Sequence, residues 1–130
     1  MQPKKILVVD DSQTIAWVVK DTLEDAGYNV RCLHGGLDAL TELEAELPDL
    51  VILDTFMPQM SGLEVLAKIK ASSKTCMVPV IMLTASGRHE DVLASYKLGA
   101  EYYITKPFTQ KELLHGMDLV LRREKQPSAA

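Results

Sequence analysis

Residues Ile6–Ser12, ILVVDDS, put four apolar residues, three of them β-branched, directly before two adjacent carboxylates. The apolar part reads as a buried strand. The acids raise a physical question, because like charges about 4 Å apart repel by roughly 1 kcal/mol in water and by several times that in drier surroundings. Either Asp10-Asp11-Ser12 is a solvated N-cap, or something at the end of this strand makes the pair tolerable.

Outward from this run, two periodicities alternate. Short β-rich runs occupy 5–9, 29–33, 50–53, 78–83 and 102–105. Between them the apolar residues recur at three- and four-residue steps. The first helical stretch carries Ile15, Val18, Val19, Thr22, Leu23 and Ala26 and stops at Gly27. The second, 37–47, ends before Pro48, which blocks helix continuation. The third, 63–71, follows Ser61-Gly62, and the fourth, 90–98, runs into Gly99 with Leu93, Ala94 and Leu98 as its expected core stripe. The fifth starts at Thr109, a plausible N-cap, and repeats Leu113, Leu114, Met117, Val120 and Leu121.

Five strands alternating with five helices predict a (βα)₅ three-layer α/β sandwich, a parallel five-stranded sheet with helices on both faces. Right-handed crossovers leave few topologies, and the flavodoxin-like order 2-1-3-4-5 leads. The runs "LVIL" and "VPVIML" are apolar without alternation, as strands covered on both sides should be.

Bulk properties agree with one soluble domain: 130 residues, 47% hydrophobic, net charge −4. No apolar run approaches the roughly 20 residues of a membrane span, and the start lacks a secretory signal. The acidic balance argues against a nucleic-acid-coating surface. Cys32 and Cys76 have no metal or disulfide spacing and read as reduced thiols of a cytoplasmic protein. The end, REKQPSAA, loses periodicity; residues 1–125 are read as the domain and 126–130 as a tail or the start of a linker.

In such a sheet, ligands bind beyond the carboxyl ends of the strands, at the switch point between strands 1 and 3. Strand 1 ends in Asp10-Asp11, strand 3 in Asp54, strand 4 in Thr84-Ala85-Ser86 and strand 5 in Thr105-Lys106-Pro107. One rim thus collects three acids, a hydroxyl and an ammonium. Three unpaired carboxylates raise one another's pKa unless a cation lies among them. A hard divalent ion with oxygen ligands suits them, and with Lys106 and Thr84 the set resembles a phosphoryl cradle. Asp54, alone at its strand end and facing both Thr84 and Lys106, is the candidate nucleophile for an aspartyl phosphate. Each residue taken alone has a bland reading as a cap, strand end or solvated lysine. Their joint placement does not.

These residues resemble the receiver domain of two-component response regulators, over about residues 4–123. The likeness rests on VVDDS, PDLVILDTFMPQMSGLEVL, PVIMLTA and GAEYYITKPF, in that order. It implies a phosphoacceptor, Asp54, that takes a phosphoryl group from a histidine kinase or phosphotransfer protein. Asp11, Asp54 and the Phe56 backbone carbonyl would bind Mg²⁺ (or Mn²⁺) directly, with Asp10 acting largely through water. Lys106 would pair with phosphoryl oxygens, Thr84 would hydrogen-bond to one, and Ala85 leaves room. The Lys106–Pro107 bond is expected to be cis. Tyr103 matches an aromatic that swings inward when the threonine moves, carrying the change to the surface of the fourth helix, fifth strand and fifth helix. The implied protein switches itself by modification and dephosphorylates itself, without acting as a turnover enzyme. Its partners would be the donor and a downstream protein target or separate output domain, with homodimerisation on phosphorylation left open. Too few residues follow Arg123 for an output domain, so the chain is read as a single-domain receiver or as a piece of a larger regulator.

Two placements go beyond the motifs. At about 100° per residue, Trp17 lies opposite the Ile15/Val19/Leu23 stripe; the resemblance implies that the first helix meets the donor, so Trp17, beside Thr14 and Asp21, is expected to border the phosphodonor interface. Val92 and Tyr96 share another face of the fourth helix, and Tyr96 is expected near Tyr103 in an apolar docking patch. Three other readings compete. A haloacid-dehalogenase-like phosphatase wants an acid two residues after its nucleophile, where Phe56 stands. A flavodoxin wants hydroxyls and glycine where Asp10-Asp11 stand. A phosphorylation-independent scaffold or dimerisation module stays open as the alternative, with the intact acidic site arguing against it.

Overall fold

The computed structural model describes residues 2–125, with only the backbone of 123–125; the predicted tail at 126–130 lies outside them. Strands β1 (Lys5–Val9), β2 (Asn29–Leu33), β3 (Leu50–Leu53), β4 (Val80–Thr84) and β5 (Tyr102–Thr105) alternate with helices α1 (Gln13–Asp25), α2 (Gly36–Ala45), α3 (Gly62–Ala71), α4 (His89–Lys97) and α5 (Gln110–Lys125). All strand pairs are parallel, in the order β2-β1-β3-β4-β5. This is the predicted topology, with the predicted bounds for four of the five strands.

The even residues of β1 and their neighbours face one way and the odd residues the other. Ile6, Val8, Ile52, Ile81 and Ile104 pack under α1 and α5, against Val19, Leu23, Leu113 and Met117. Leu7, Val9, Val51, Leu53 and Met82 pack under α2 and α3, against Leu43, Val65, Leu66 and Ile69. Burying each such leucine, isoleucine or valine contributes about 1.5–3 kcal/mol. Both faces of the central strands are therefore dry, and polar chemistry is confined to their ends.

Local signals set the boundaries. Ser12 and Ser61 cap α1 and α3 by accepting from Ile15 N–H and Glu64 N–H. Thr109 caps α5 in a reciprocal box: its hydroxyl accepts from Glu112 N–H, and Glu112 accepts from Thr109 N–H, each at 3.0 Å. After α1 the chain turns through Gly27 at φ +101°, where a side chain would be strained.

Three expectations need correction. β4 starts at Val80 rather than residue 78, because Pro79 has no N–H to give a neighbouring strand and Val78 N–H is turned onto Thr75 O. α2 stops at Ala45, and Glu46 is already extended (φ −153°), so the helix ends two residues earlier than expected ahead of Pro48. Leu93 and Leu98 are not core residues: they are 43% and 37% exposed, and Ser95 is the buried residue of α4. Leu93 lies about 160° round the helix from Ser95, at about 100° per residue, and the small serine brings α4 close to the sheet edge.

Candidate functional site

Register assembles the site. Val9 of β1 pairs with Leu53 of β3, so Asp10 and Asp54 leave adjacent strands side by side. Backbone bonds extend the sheet past these ends: Asp10 N–H to Leu33 O at 3.1 Å, Asp54 N–H to Val9 O at 2.9 Å, and Lys106 N–H to Thr84 O at 2.8 Å. The Lys106–Pro107 peptide is cis, as expected.

The carboxylates of Asp10, Asp11 and Asp54 each offer an oxygen within 4.8 Å of the others. Asp10 and Asp54 are buried at 2% and 6% exposure, and Asp11 is exposed. Asp10 is held at both oxygens, accepting from Ser12 N–H at 2.9 Å and from the Lys106 ammonium at 2.7 Å. Lys106 stands 3.6 Å from Asp54. The lysine thus lies closer to Asp10 than to Asp54, and Asp54 is the less neutralised of the two acids it reaches. Burial, then the Asp10 carboxylate, push Asp54 up to about 6, with Lys106 and the Phe56 N–H only partly opposing them.

The donor set is entirely hard oxygen, overcharged negatively, with one ammonium in reach. Mg²⁺ or a similar cation fits it, because three carboxylates with an oxygen each within 4.8 Å of the others match its preference for hard oxygen ligands.

The rest of the rim lies on β4 and β5. Thr84 is fully buried, and its Oγ1 accepts from Ser86 N–H at 3.5 Å. Tyr103 is half-buried and turned inward, its phenol donating to Ser86 O at 2.5 Å. Burial raises the phenol pKa; the hydrogen bond with Ser86 works against the rise and the Asp91 charge adds to it. Ala85 and Phe56 are exposed beside the site, Phe56 at 57%. Farther out, Trp17 is 64% and Tyr96 43% exposed, so both present surface where sequence placed it.

Four residues escaped the sequence reading. His34 Nδ1 lies 3.0 Å from Asp10 O. The Thr55 hydroxyl is buried with no partner at hydrogen-bonding distance. Asp91 accepts from the Ser86 hydroxyl at 2.5 Å. Gly62, read only as a helix start, lies against the Asp54 backbone: a Cβ there would stand 1.9 Å from Asp54 O. Only Gly62 left a usable trace, a glycine just inside a helix where propensity disfavours it.

The chain is 39% identical over 120 residues to the alkaline phosphatase synthesis transcriptional regulatory protein PhoP of Bacillus subtilis (strain 168), covering 92% of this chain and 49% of PhoP. The chain therefore spans about half the length of that relative. Among solved structures, the chemotaxis response regulator CheY4 of Vibrio cholerae matches with a TM-score of 0.86 at 34% identity, over 91% of this chain and 98% of CheY4. The Mn²⁺-bound form of the response regulator Rcp1 matches with a TM-score of 0.79 at 33% identity, over 91% of each chain. Residues 6–118 match the response regulator receiver domain, and the chain belongs to that family of two-component signalling domains.

Proposed function

We propose that this chain is a phosphorylated switch in which Asp54 accepts a phosphoryl group from the phosphohistidine of a histidine kinase or phosphotransfer protein. One observation carries the reading: Asp10, Asp11 and Asp54 converge within reach of Lys106 at the end of the switch-point strands. An Asp54 carboxylate oxygen attacks phosphorus, a P–O bond forms, and the P–N bond to the donor imidazole breaks. Asp11, Asp54 and the Phe56 carbonyl would hold Mg²⁺ (or Mn²⁺), with Asp10 reaching it through water. Such an ion neutralises charge on the carboxylate and phosphoryl oxygens. Lys106, 3.6 Å from Asp54, pairs with a phosphoryl oxygen once the group is on, and Thr84 donates its hydroxyl to another.

The added charge and acceptors bias a two-state element. Thr84 moves toward Asp54, the inward position of Tyr103 is favoured, and the α4/β5/α5 surface changes for a downstream partner or a separate output domain, with homodimerisation of that face a further outcome. Tyr96 belongs to that docking surface, while Trp17 on α1 borders the donor's. The receiver module spans residues 1–125, acts in the cytoplasm, binds neither nucleic acid nor membrane directly, and is not a turnover enzyme. Among the described residues no helix is long and apolar enough to cross a membrane.

The test is intact-mass spectrometry after acetyl phosphate treatment. The expected result is one added phosphoryl group that requires Mg²⁺ and is absent from Asp54→Asn. A wild-type mass unchanged by acetyl phosphate and by a panel of phosphorylated donors would leave only the scaffold reading.

A further inference from the structure

Between Thr84 and α4 one residue gathers four hydrogen bonds. Ser86 N–H donates to Thr84 Oγ1 at 3.5 Å, Ser86 O accepts from the Tyr103 phenol at 2.5 Å, and Ser86 Oγ accepts from Arg88 N–H at 3.2 Å while donating to Asp91 Oδ2 at 2.5 Å. Asp91 is the only charged group in this set. Its bond is charge-assisted and among the stronger kinds available to a hydroxyl. The backbone carbonyl of Asp91 accepts in turn from the Ser95 hydroxyl at 3.0 Å, and Ser95 is the buried residue of α4. The loop carrying Ser86 is thereby tied to the one point where α4 enters the core.

The tie bears on the reactive end of the molecule. Tyr103 stays inward by donating to a carbonyl whose position depends on the loop, and the loop depends on the Ser86–Asp91 bond. Thr84 accepts a long bond from Ser86 N–H, and accepting leaves a hydroxyl its own proton to donate. We propose that Asp91 is a positioning residue for phosphorylation: through Ser86 it holds the β4–α4 loop and Tyr103 in the arrangement that a phosphoryl group on Asp54 selects. The inference rests on the proposed function and adds a residue and a direction to it. The bland alternative is that Asp91 only favours the N-terminus of α4 by its charge. Glu90 in the same turn serves as the control, since it pairs with Arg88 rather than with Ser86.

The affinity of a ligand for one of two conformations scales with the population of that conformation. The experiment is calorimetric titration of the full chain with beryllofluoride in saturating Mg²⁺, and separately with Mg²⁺ alone. Asp91→Ala is expected to weaken beryllofluoride binding by about three- to tenfold, with Mg²⁺ affinity unchanged. Ser86→Ala should lose a similar factor, the double variant no more than either single one, and Asp91→Asn, which keeps an acceptor oxygen, should recover part of the loss. Glu90→Ala should bind as wild type. Wild-type affinity in both Asp91→Ala and Ser86→Ala, additive losses in the double variant, or an equal loss in Glu90→Ala each overturns the proposal. Should Asp91→Ala fail to fold, Ser86→Ala and Asp91→Asn decide by the same criteria. A wild-type chain that takes up no beryllofluoride overturns the proposed function and this inference with it, a failure distinct from loss in the variants alone.

Discussion

Replacing Asp54 by asparagine should make the metal-free protein more stable, in a way that depends on pH. The Asp54 carboxyl has a folded pKa of about 6 against an ordinary 3.8, raised by burial and by Asp10. The folded chain therefore keeps a proton that the unfolded chain releases, and between these values stability falls as pH rises. Above pH 6 the penalty is fully developed, on the order of 2–3 kcal/mol at about 1.4 kcal/mol per unit. Asparagine has the same shape without the charge and leaves the 2.7 Å Asp10–Lys106 pair in place. Urea unfolding in EDTA should thus show Asp54→Asn ahead of wild type by about 2–3 kcal/mol at pH 8 and by roughly half that at pH 5. The corresponding rise in Tm at pH 8 is roughly 6–12 °C for a domain of this size. Saturating Mg²⁺ should narrow the gap, because a ligand that binds only the folded state stabilises it by mass action and wild type has the fuller ligand set. Equal stabilities at pH 8 without metal, or a gap that does not move with pH, would refute the claim that Asp54 is held ionised against its surroundings.

Other perturbations probe different parts. Lys106→Met removes the competing cation beside Asp10 and Asp54, so Mg²⁺ affinity measured by calorimetry should rise, by about tenfold, while acetyl phosphate labelling is lost. Gly62→Ala forces a Cβ to within 1.9 Å of Asp54 O and should destabilise by about 1–3 kcal/mol in urea unfolding, with labelling of Asp54 reduced as its strand end shifts. Lys70 donates to Cys76 O, Val78 O and Glu101, and Glu101 also accepts from Val80 N–H, so Lys70→Ala should cost about 2–4 kcal/mol in the same assay without changing Mg²⁺ affinity. Trp17→Ala should leave labelling by acetyl phosphate intact and slow transfer from a cognate protein donor; equal rates from both donors would remove Trp17 from that interface.

The contrast between what was readable and what was not has a physical basis. β1, β3 and β4 must be apolar on both faces, so their sequences leave almost no freedom, and the first polar residue after each run marks the rim. Asp10, Asp54 and Lys106 were legible for that reason: the parallel register Val9↔Leu53 and Thr84↔Thr105 converts equal positions along the chain into neighbours in space. Partner choice within the rim was not legible, because it depends on side-chain reach; Lys106 lies nearer Asp10 by about an ångström, a difference no spacing rule resolves. α4 failed for another reason. Its apolar residues are too few to define one face, and the contact that seats it is made by Ser95, whose hydroxyl is satisfied within the helix by Asp91 O. A helix held by a small polar residue, and joined to the site by hydrogen bonds through Ser86, is the element whose position costs least to change. The least amphipathic helix of the sequence is therefore the one that the proposed switch would move.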